Sequence, residues 1–214
     1  MKFTPDMLRL YAVTDRTWLR GASLAEQVEM ALEGGVTMVQ LREKNLDETA
    51  FLREAVEMKK LCHRYNVPLL INDNVSIAVR SGADGVHVGQ DDMNAETARQ
   101  MLGRDSIVGV TAKTVEQAMR AQDDGADYLG SGAVFGSTTK QNARPMDMET
   151  LRDICRVSSI PVAAIGGICR ENVSSLAGTG IAGIAVVSGI FAADNITEEC
   201  RALRLTMDRI LQIR

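Results

Sequence analysis

Short β-rich runs alternate with helical patterns from one end of this chain to the other, and that alternation restricts it to an α/β fold. The predicted strands are Leu8–Thr14, Val36–Leu41, Val67–Asn72, Asp84–Val88, Ser106–Val110, Asp127–Ser131, Pro161–Ile165 and Gly183–Val187. Eight strands, each followed by a helix, is the count that a closed parallel barrel requires. The competing arrangement is a doubly wound open sheet. It is disfavoured because no GxGxxG follows the first strand. The expected architecture is a (β/α)8 TIM barrel, a single domain over residues 1–214 with no linker or low-complexity tract. The chain is close to the lower length limit of that fold, so large inserted lids are not expected.

A recurring junction supports the count. Gly34-Gly35-Val36, Gly82-Ala83-Asp84, Gly125-Ala126-Asp127 and Gly180-Ile181-Ala182 each lead into an even-numbered strand. Glycine there suits the left-handed position that ends a helix. Ser23 with Glu26, and Thr114 with Gln117, have capping-box spacing. The last helix, from about Thr197, repeats apolar residues at Leu203, Met207, Ile210 and Leu211. Hydrophobic residues make up 45% of the chain but aromatics only 4%, so the core must rest on Ile, Leu, Val, Ala and Met.

Several function classes are excluded at this level. A net charge of −4 gives no hint of nucleic-acid binding. The opening MKFTPDMLRLY has no apolar stretch long enough for a signal peptide or a membrane span. Cys62, Cys155, Cys169 and Cys200 are scattered without a CxxC pair, which suits free thiols in a cytoplasmic protein. His63 and His87 are the only histidines, so multi-imidazole zinc sites and most His-driven triads are ruled out. Both are read as structural, His87 in strand four and His63 on a helix.

In this fold the chemistry sits at the C-terminal ends of the strands, and polar residues gather there. Asp15 ends strand one, Gln40, Arg42 and Lys44 end strand two, and Asn72 and Asp73 end strand three. Gln90, Asp91 and Asp92 follow strand four, Thr111 and Lys113 strand five, and Ser137, Thr138, Thr139 and Lys140 strand six. In extended backbone Gln40, Arg42 and Lys44 project together, with Val36 and Met38 on the same side and Val39 and Leu41 facing the helices. Two cations at a barrel mouth suit an anionic ligand. The competing view is a solvated loop with a Glu43–Lys44 ion pair. Asp73 and Asp92 offer hard oxygen ligands, and two carboxylates plus substrate phosphates are a common way to hold Mg2+. Capping is the alternative for Asp73 and for Asp91 or Asp92, since each precedes a helix. Ala164-Ile165-Gly166-Gly167-Ile168 with Val186-Val187-Ser188-Gly189 matches a phosphate site after strands seven and eight. The run from Gly132 to Lys140 is glycine- and hydroxyl-rich, as a mobile loop over the mouth would be.

YAVTD at 11–15, VQLREK at 39–44, INDN at 71–74, DGVHVGQDD at 84–92, GADYLGSGAVFGSTTK at 125–140, AIGGI at 164–168 and GIAVVSGI at 183–190 together resemble the thiamine phosphate synthase family. The likeness runs over nearly the whole chain in family order. It implies a transferase that joins 4-amino-2-methyl-5-hydroxymethylpyrimidine diphosphate to a thiazole phosphate, releasing pyrophosphate with the help of Mg2+. By this resemblance Gln40 holds the pyrimidine, Arg42, Lys44, Asn72 and Lys140 bind the diphosphate, and Asp73 and Asp92 hold Mg2+. Thr111 stands where the family usually has serine near the diphosphate. Ser137, Thr139, Gly167, Val187 and Ser188 hold the thiazole phosphate. Ala133 and Gly136 replace prolines of the family's loop after strand six, and Lys113 ends a segment that often closes in histidine. The rival readings are a thiazole tautomerase, which needs that histidine as its acid–base group, and a non-catalytic phosphate-binding barrel, which would not need paired aspartates.

Overall fold

A computed structural model describes residues 1–136 and 145–213. Among these, eight parallel strands close into a barrel in chain order, with β1 pairing to both β2 and β8. The strands are β1 Leu10–Val13, β2 Met38–Leu41, β3 Leu69–Asn72, β4 Gly85–Val88, β5 Ile107–Thr111, β6 Tyr128–Gly132, β7 Val162–Ile165 and β8 Gly183–Val186. The helices are α1 Leu24–Glu33, α2 Glu48–Arg64, α3 Val75–Ser81, α4 Ala95–Leu102, α5 Val115–Asp123, α6 Met148–Val157, the short α7 Ser188–Phe191 and α8 Ile196–Ile210.

The strand period of two sorts the apolar residues into two cores. Leu10, Ala12, Val39, Leu41, Leu69, Ile71, Val86 and Val108 point outward and pack beneath the helices. Tyr11, Val13, Met38, Leu70, Ile107, Tyr128, Ala163 and Ala185 fill the barrel itself. Val36, expected on the inner side with Met38, instead belongs to the outer core. It precedes the strand, where the backbone still turns out of α1 through the Val36 N–H to Ala31 carbonyl bond.

Local signals account for most element ends. Ser23 and Glu26 form the reciprocal capping box of α1. Thr114 accepts from the Gln117 N–H, but the Gln117 side chain reaches one residue further back and accepts from the Lys113 N–H at 2.7 Å. Gly35, Gly82 and Gly125 have φ of +93°, +63° and +85° at the ends of α1, α3 and α5. Gly180 also has positive φ, at +90°, but no α-helix precedes it. The segment between β7 and β8 forms only a 3-10 turn, Val173–Leu176. Two serines and the left-handed Gly178 and Gly180 leave too few helix formers there for a full helix.

Candidate active site

The C-terminal mouth of the barrel opens into a cavity of about 1080 Å³, counting the space open to solvent. Gln40, Arg42, Asn72, Asp73, Thr111, Gly167, Val187 and Ser188 all line it. Lys44 and Asp92 join at its rim through Asp73 and Gly89, as described below. Ser137, Thr139 and Lys140 lie outside the described residues.

Arg42 is aimed by β1. Its backbone N–H donates to Thr14 Oγ1 at 2.9 Å, and its Nη1 donates to Asp15 Oδ2 at 3.0 Å. Arg42 Nε and Asn72 Oδ1 are buried with no hydrogen-bond partner among the described residues. A buried polar atom without a partner is costly, so both atoms suit a site where a ligand group completes their hydrogen bonding. Lys44 Nζ donates to Asp73 Oδ2 at 2.7 Å, and Asn72 Nδ2 donates to Asp73 Oδ1 at 2.8 Å. The Glu43–Lys44 pair of the competing view does not form. Glu43 is turned inward, with its side chain 2% exposed, and meets Arg16 at 2.9 Å.

Neither aspartate caps a helix. That role falls to Asn74 for α3 and Asn94 for α4. Asp73 sits in the left-handed region at φ +61°, a conformation an aspartate tolerates better than most residues. Asp92 Oδ2 accepts from the Gly89 N–H at 2.8 Å. Burial, and then the neighbouring carboxylate of Asp73, raise the pKa of Asp92 from its ordinary value, while the Gly89 N–H and Lys44 pull the other way. Two mutually repelling carboxylates beside an orphaned amide oxygen make an oxygen-only donor set that fits Mg2+. No cluster of three or more His, Cys, Asp or Glu side chains able to hold a metal occurs among the described residues. A cation here would complete its shell with water and ligand oxygens.

Across the mouth, Gly166 and Gly167 have φ of +105° and +63°. A Cβ at Gly166 would lie 2.5 Å from Ala133, and one at Gly167 would lie 2.5 Å from the Phe135 carbonyl oxygen. Backbone bonds from Val134 to Ile165 and from Phe135 to Gly166, each 3.0 Å, tie the start of the loop after β6 to β7. The mobile loop read from sequence is therefore pinned over its first residues, 133–135.

His87, taken as structural, faces the cavity from β4, and Tyr11, given no role in the sequence reading, lines it too, beside the Lys113 expected after strand five. Tyr128 lies beneath them, fully buried in the barrel. Alternation along β4 would have placed His87 inward, two residues beyond the inward Gly85. His63 does act structurally, pairing with Asp84 at 2.8 Å. Below the mouth Gln40 Nε2 donates to Tyr11 Oη, the Tyr11 and Tyr128 hydroxyls are 2.9 Å apart, and Tyr128 Oη is 2.9 Å from His87 Nδ1. His87 Nε2 is 3.0 Å from Thr111 Oγ1. Burial raises the pKa of both phenols, so they stay protonated across the working range.

A family model described as thiamine monophosphate synthase matches residues 10–190. The thiamine-phosphate synthase of Ruminiclostridium cellulolyticum is 48% identical over 194 residues, 91% of this chain and 92% of that protein. The thiamine-phosphate synthase of Clostridium tetani is 46% identical over 194 residues, covering 91% of this chain and 93% of its own. A solved structure of thiamine phosphate pyrophosphorylase from Pyrococcus furiosus superposes with a TM-score of 0.89 at 35% identity, over 97% of this chain and 98% of that one. On this agreement of sequence and structure, the chain belongs to the thiamine monophosphate synthase family of transferases.

Proposed function

We propose that this chain, as one catalytic unit, condenses 4-amino-2-methyl-5-hydroxymethylpyrimidine diphosphate with a thiazole phosphate to give thiamine phosphate and pyrophosphate. One observation carries the reading. Arg42, Lys44 and Asn72 stand beside the Asp73–Asp92 pair on the β2–β4 side of the mouth, half a barrel from Gly167, Val187 and Ser188. Two anion sites facing each other suit two phosphorylated substrates, and the carboxylate pair suits a metal on the more highly charged one. The relatives' names, thiamine-phosphate synthase, support the same chemistry.

The bond that breaks joins the pyrimidine methylene to the diphosphate oxygen, and the bond that forms joins that methylene to the thiazole nitrogen. The nitrogen lone pair attacks directly, so no side chain has to remove a proton. Lys113 needs no acid–base role. Arg42, held by Asp15, directs its guanidinium at the leaving group, and Lys44 can exchange Asp73 for a phosphate oxygen. Each cation about 4 Å from the leaving charge is worth about 4 kcal/mol at an effective dielectric of about 20, before desolvation. Gln40 orients the pyrimidine, and Thr111 stands near the diphosphate. Bound by Asp73 and Asp92, Mg2+ would neutralise charge that collects on the departing pyrophosphate. Ser137, Thr139 and Lys140 complete the assignment from the loop after β6. A cytoplasmic setting agrees with four free cysteines among the described residues, and no described helix is long and apolar enough to cross a membrane.

Pyrophosphate release from purified protein, with each substrate omitted in turn, tests the reaction. Release should require both substrates, and product lacking either one rejects it. Asp73→Asn and Asp92→Asn should fold normally but lose at least roughly a hundredfold in turnover, comparable to removing an oxyanion donor. Since neither residue caps a helix, stability should move little. Parental turnover in both variants, or in excess chelator, would end the metal assignment.

A further inference from the structure

The barrel floor holds five polar side chains from five different strands in one unbroken chain: Gln40, Tyr11, Tyr128, His87 and Thr111. Their housing is specific. A Cβ at Gly109 would lie 2.1 Å from the Tyr128 ring, and one at Gly130 would lie 2.9 Å from His87 Cε1. Tyr128 is further fixed by Phe3, stacked at 5.7 Å, and by Tyr11, edge-on at 5.9 Å. Glycines on β5 and β6 thus make room for a buried array that a wholly apolar barrel would not need.

We propose that Tyr11 and Tyr128 are positioning residues, and that their hydroxyl pair gives this chain one direction, fixing which hydrogen-bonding atom each end offers to the substrates. The argument is a count of protons. With Gln40 Nε2–H donating to Tyr11 Oη, the Tyr128 hydroxyl is the acceptor left for the single Tyr11 proton among the described residues, so Tyr11 donates to Tyr128. Tyr128 then spends its proton on His87 Nδ1. A neutral imidazole accepting at Nδ1 carries its proton on Nε2, which donates to Thr111 Oγ1. At one end Gln40 turns its Oε1 acceptor to the cavity, ready for an amino group. At the other, Thr111 keeps its hydroxyl proton for an acceptor such as a phosphate oxygen. The acceptor and donor ends match an aminopyrimidine and its diphosphate, so the ligand assignment rests on the proposed synthase reaction, whereas the polarity does not.

The two hydroxyls tie the ends together. Turning Gln40 over would make Tyr11 donate to it, Tyr128 donate to Tyr11, and His87 donate from Nδ1. Thr111 would then have to donate to His87 Nε2 and would lose its proton for the ligand. A substrate that reads Gln40 as an acceptor therefore also reads Thr111 as a donor.

The ¹⁵N spectrum of the histidine-labelled full chain, without ligand, reads the polarity directly. His87 should be the Nε2–H tautomer, with His63 identified by its loss in His63→Gln. Tyr128→Phe keeps the ring and removes the hydroxyl, and it should shift the His87 nitrogens towards a tautomer mixture while leaving those of His63 in place. In turnover, Tyr11→Phe should raise KM for the pyrimidine diphosphate about tenfold, the scale of one hydrogen bond, with kcat and the KM for the thiazole phosphate within about threefold. A His87 proton on Nδ1 in the parent protein overturns the proposal, and so does a His87 spectrum unmoved by Tyr128→Phe. If the spectra agree but no synthase turnover is found, the polarity stands and only the substrate assignment falls. If either variant fails to fold, the parent spectrum still decides.

Discussion

At Cys62 and Cys200 burial pushes the thiol up to about 12, and at Cys155 to about 11, with Asp84 adding to the effect at Cys62. Only the thiolate reacts with alkylating agents. A raised pKa leaves fewer thiolates near pH 8, so the native thiols should be slow there and should speed up only as the pH climbs towards those values. Iodoacetamide at pH 8 should therefore label Cys62 and Cys200 only after unfolding, as read by mass spectrometry. Rapid labelling of either in the native protein would show that the α2 and α8 cores open easily. At the same scale, Asp15 illustrates a role that spacing does not reveal. It was legible as a polar residue at a strand end, but its bond to Arg42 depends on the β1–β2 register.

The elements around the mouth work as pairs. The end of β7 holds the loop after β6 through Val134 and Phe135, and Gly166 sits where a side chain would strike Ala133. Gly166→Ala should then cost about 1–3 kcal/mol from overpacking, over and above backbone strain, and should raise KM for the thiazole phosphate. Gly178→Ala is the control: its φ is +73° but nothing lies within 4 Å of the added methyl. It should lose only the strain contribution. Chemical denaturation of the two variants separates the terms, and equal losses would remove the case for close packing at the β6–β7 junction. The Ser23–Glu26 capping box and the glycines that end α1, α3 and α5 were legible because their partners lie three or four residues apart. The 3-10 turn between β7 and β8 was not, because a run such as Val173–Leu176 carries apolar spacing without showing that α-helix will not continue.

Across the whole molecule, closure depends on the two ends of the chain meeting. β1 pairs with β8, and α8 packs against α1 and β1. Ile196, Cys200, Leu203 and Met207 form the buried stripe of α8. Leu203→Ala removes a fully buried side chain from that seam and should destabilise by about 2–5 kcal/mol. At about 2–4 °C per kcal/mol for a protein of this size, the thermal midpoint should fall by roughly 4–20 °C in one cooperative transition. A local loss of α8 that leaves the rest of the melting curve unchanged would mean that the seam is independent of the barrel.

Periodicity along the chain was enough to set the strand count, the strand ends to within two residues, and the inward direction of Gln40 and Arg42, because side-chain alternation is a local property of extended backbone. The mouth residues were legible for a related reason: parallel strands of a barrel deliver their C-terminal ends to one face whatever their register. Partner choice was decided only in three dimensions. Lys44 selects Asp73 over its neighbour Glu43, Asn74 and Asn94 take the caps that Asp73 and Asp92 might have filled, and Tyr11, Tyr128 and His87 meet from strands up to 117 residues apart. Hydrogen bonds and ion pairs act over about 3–4 Å, so which groups meet depends on strand register and ring packing across the barrel. No spacing along the chain encodes those contacts.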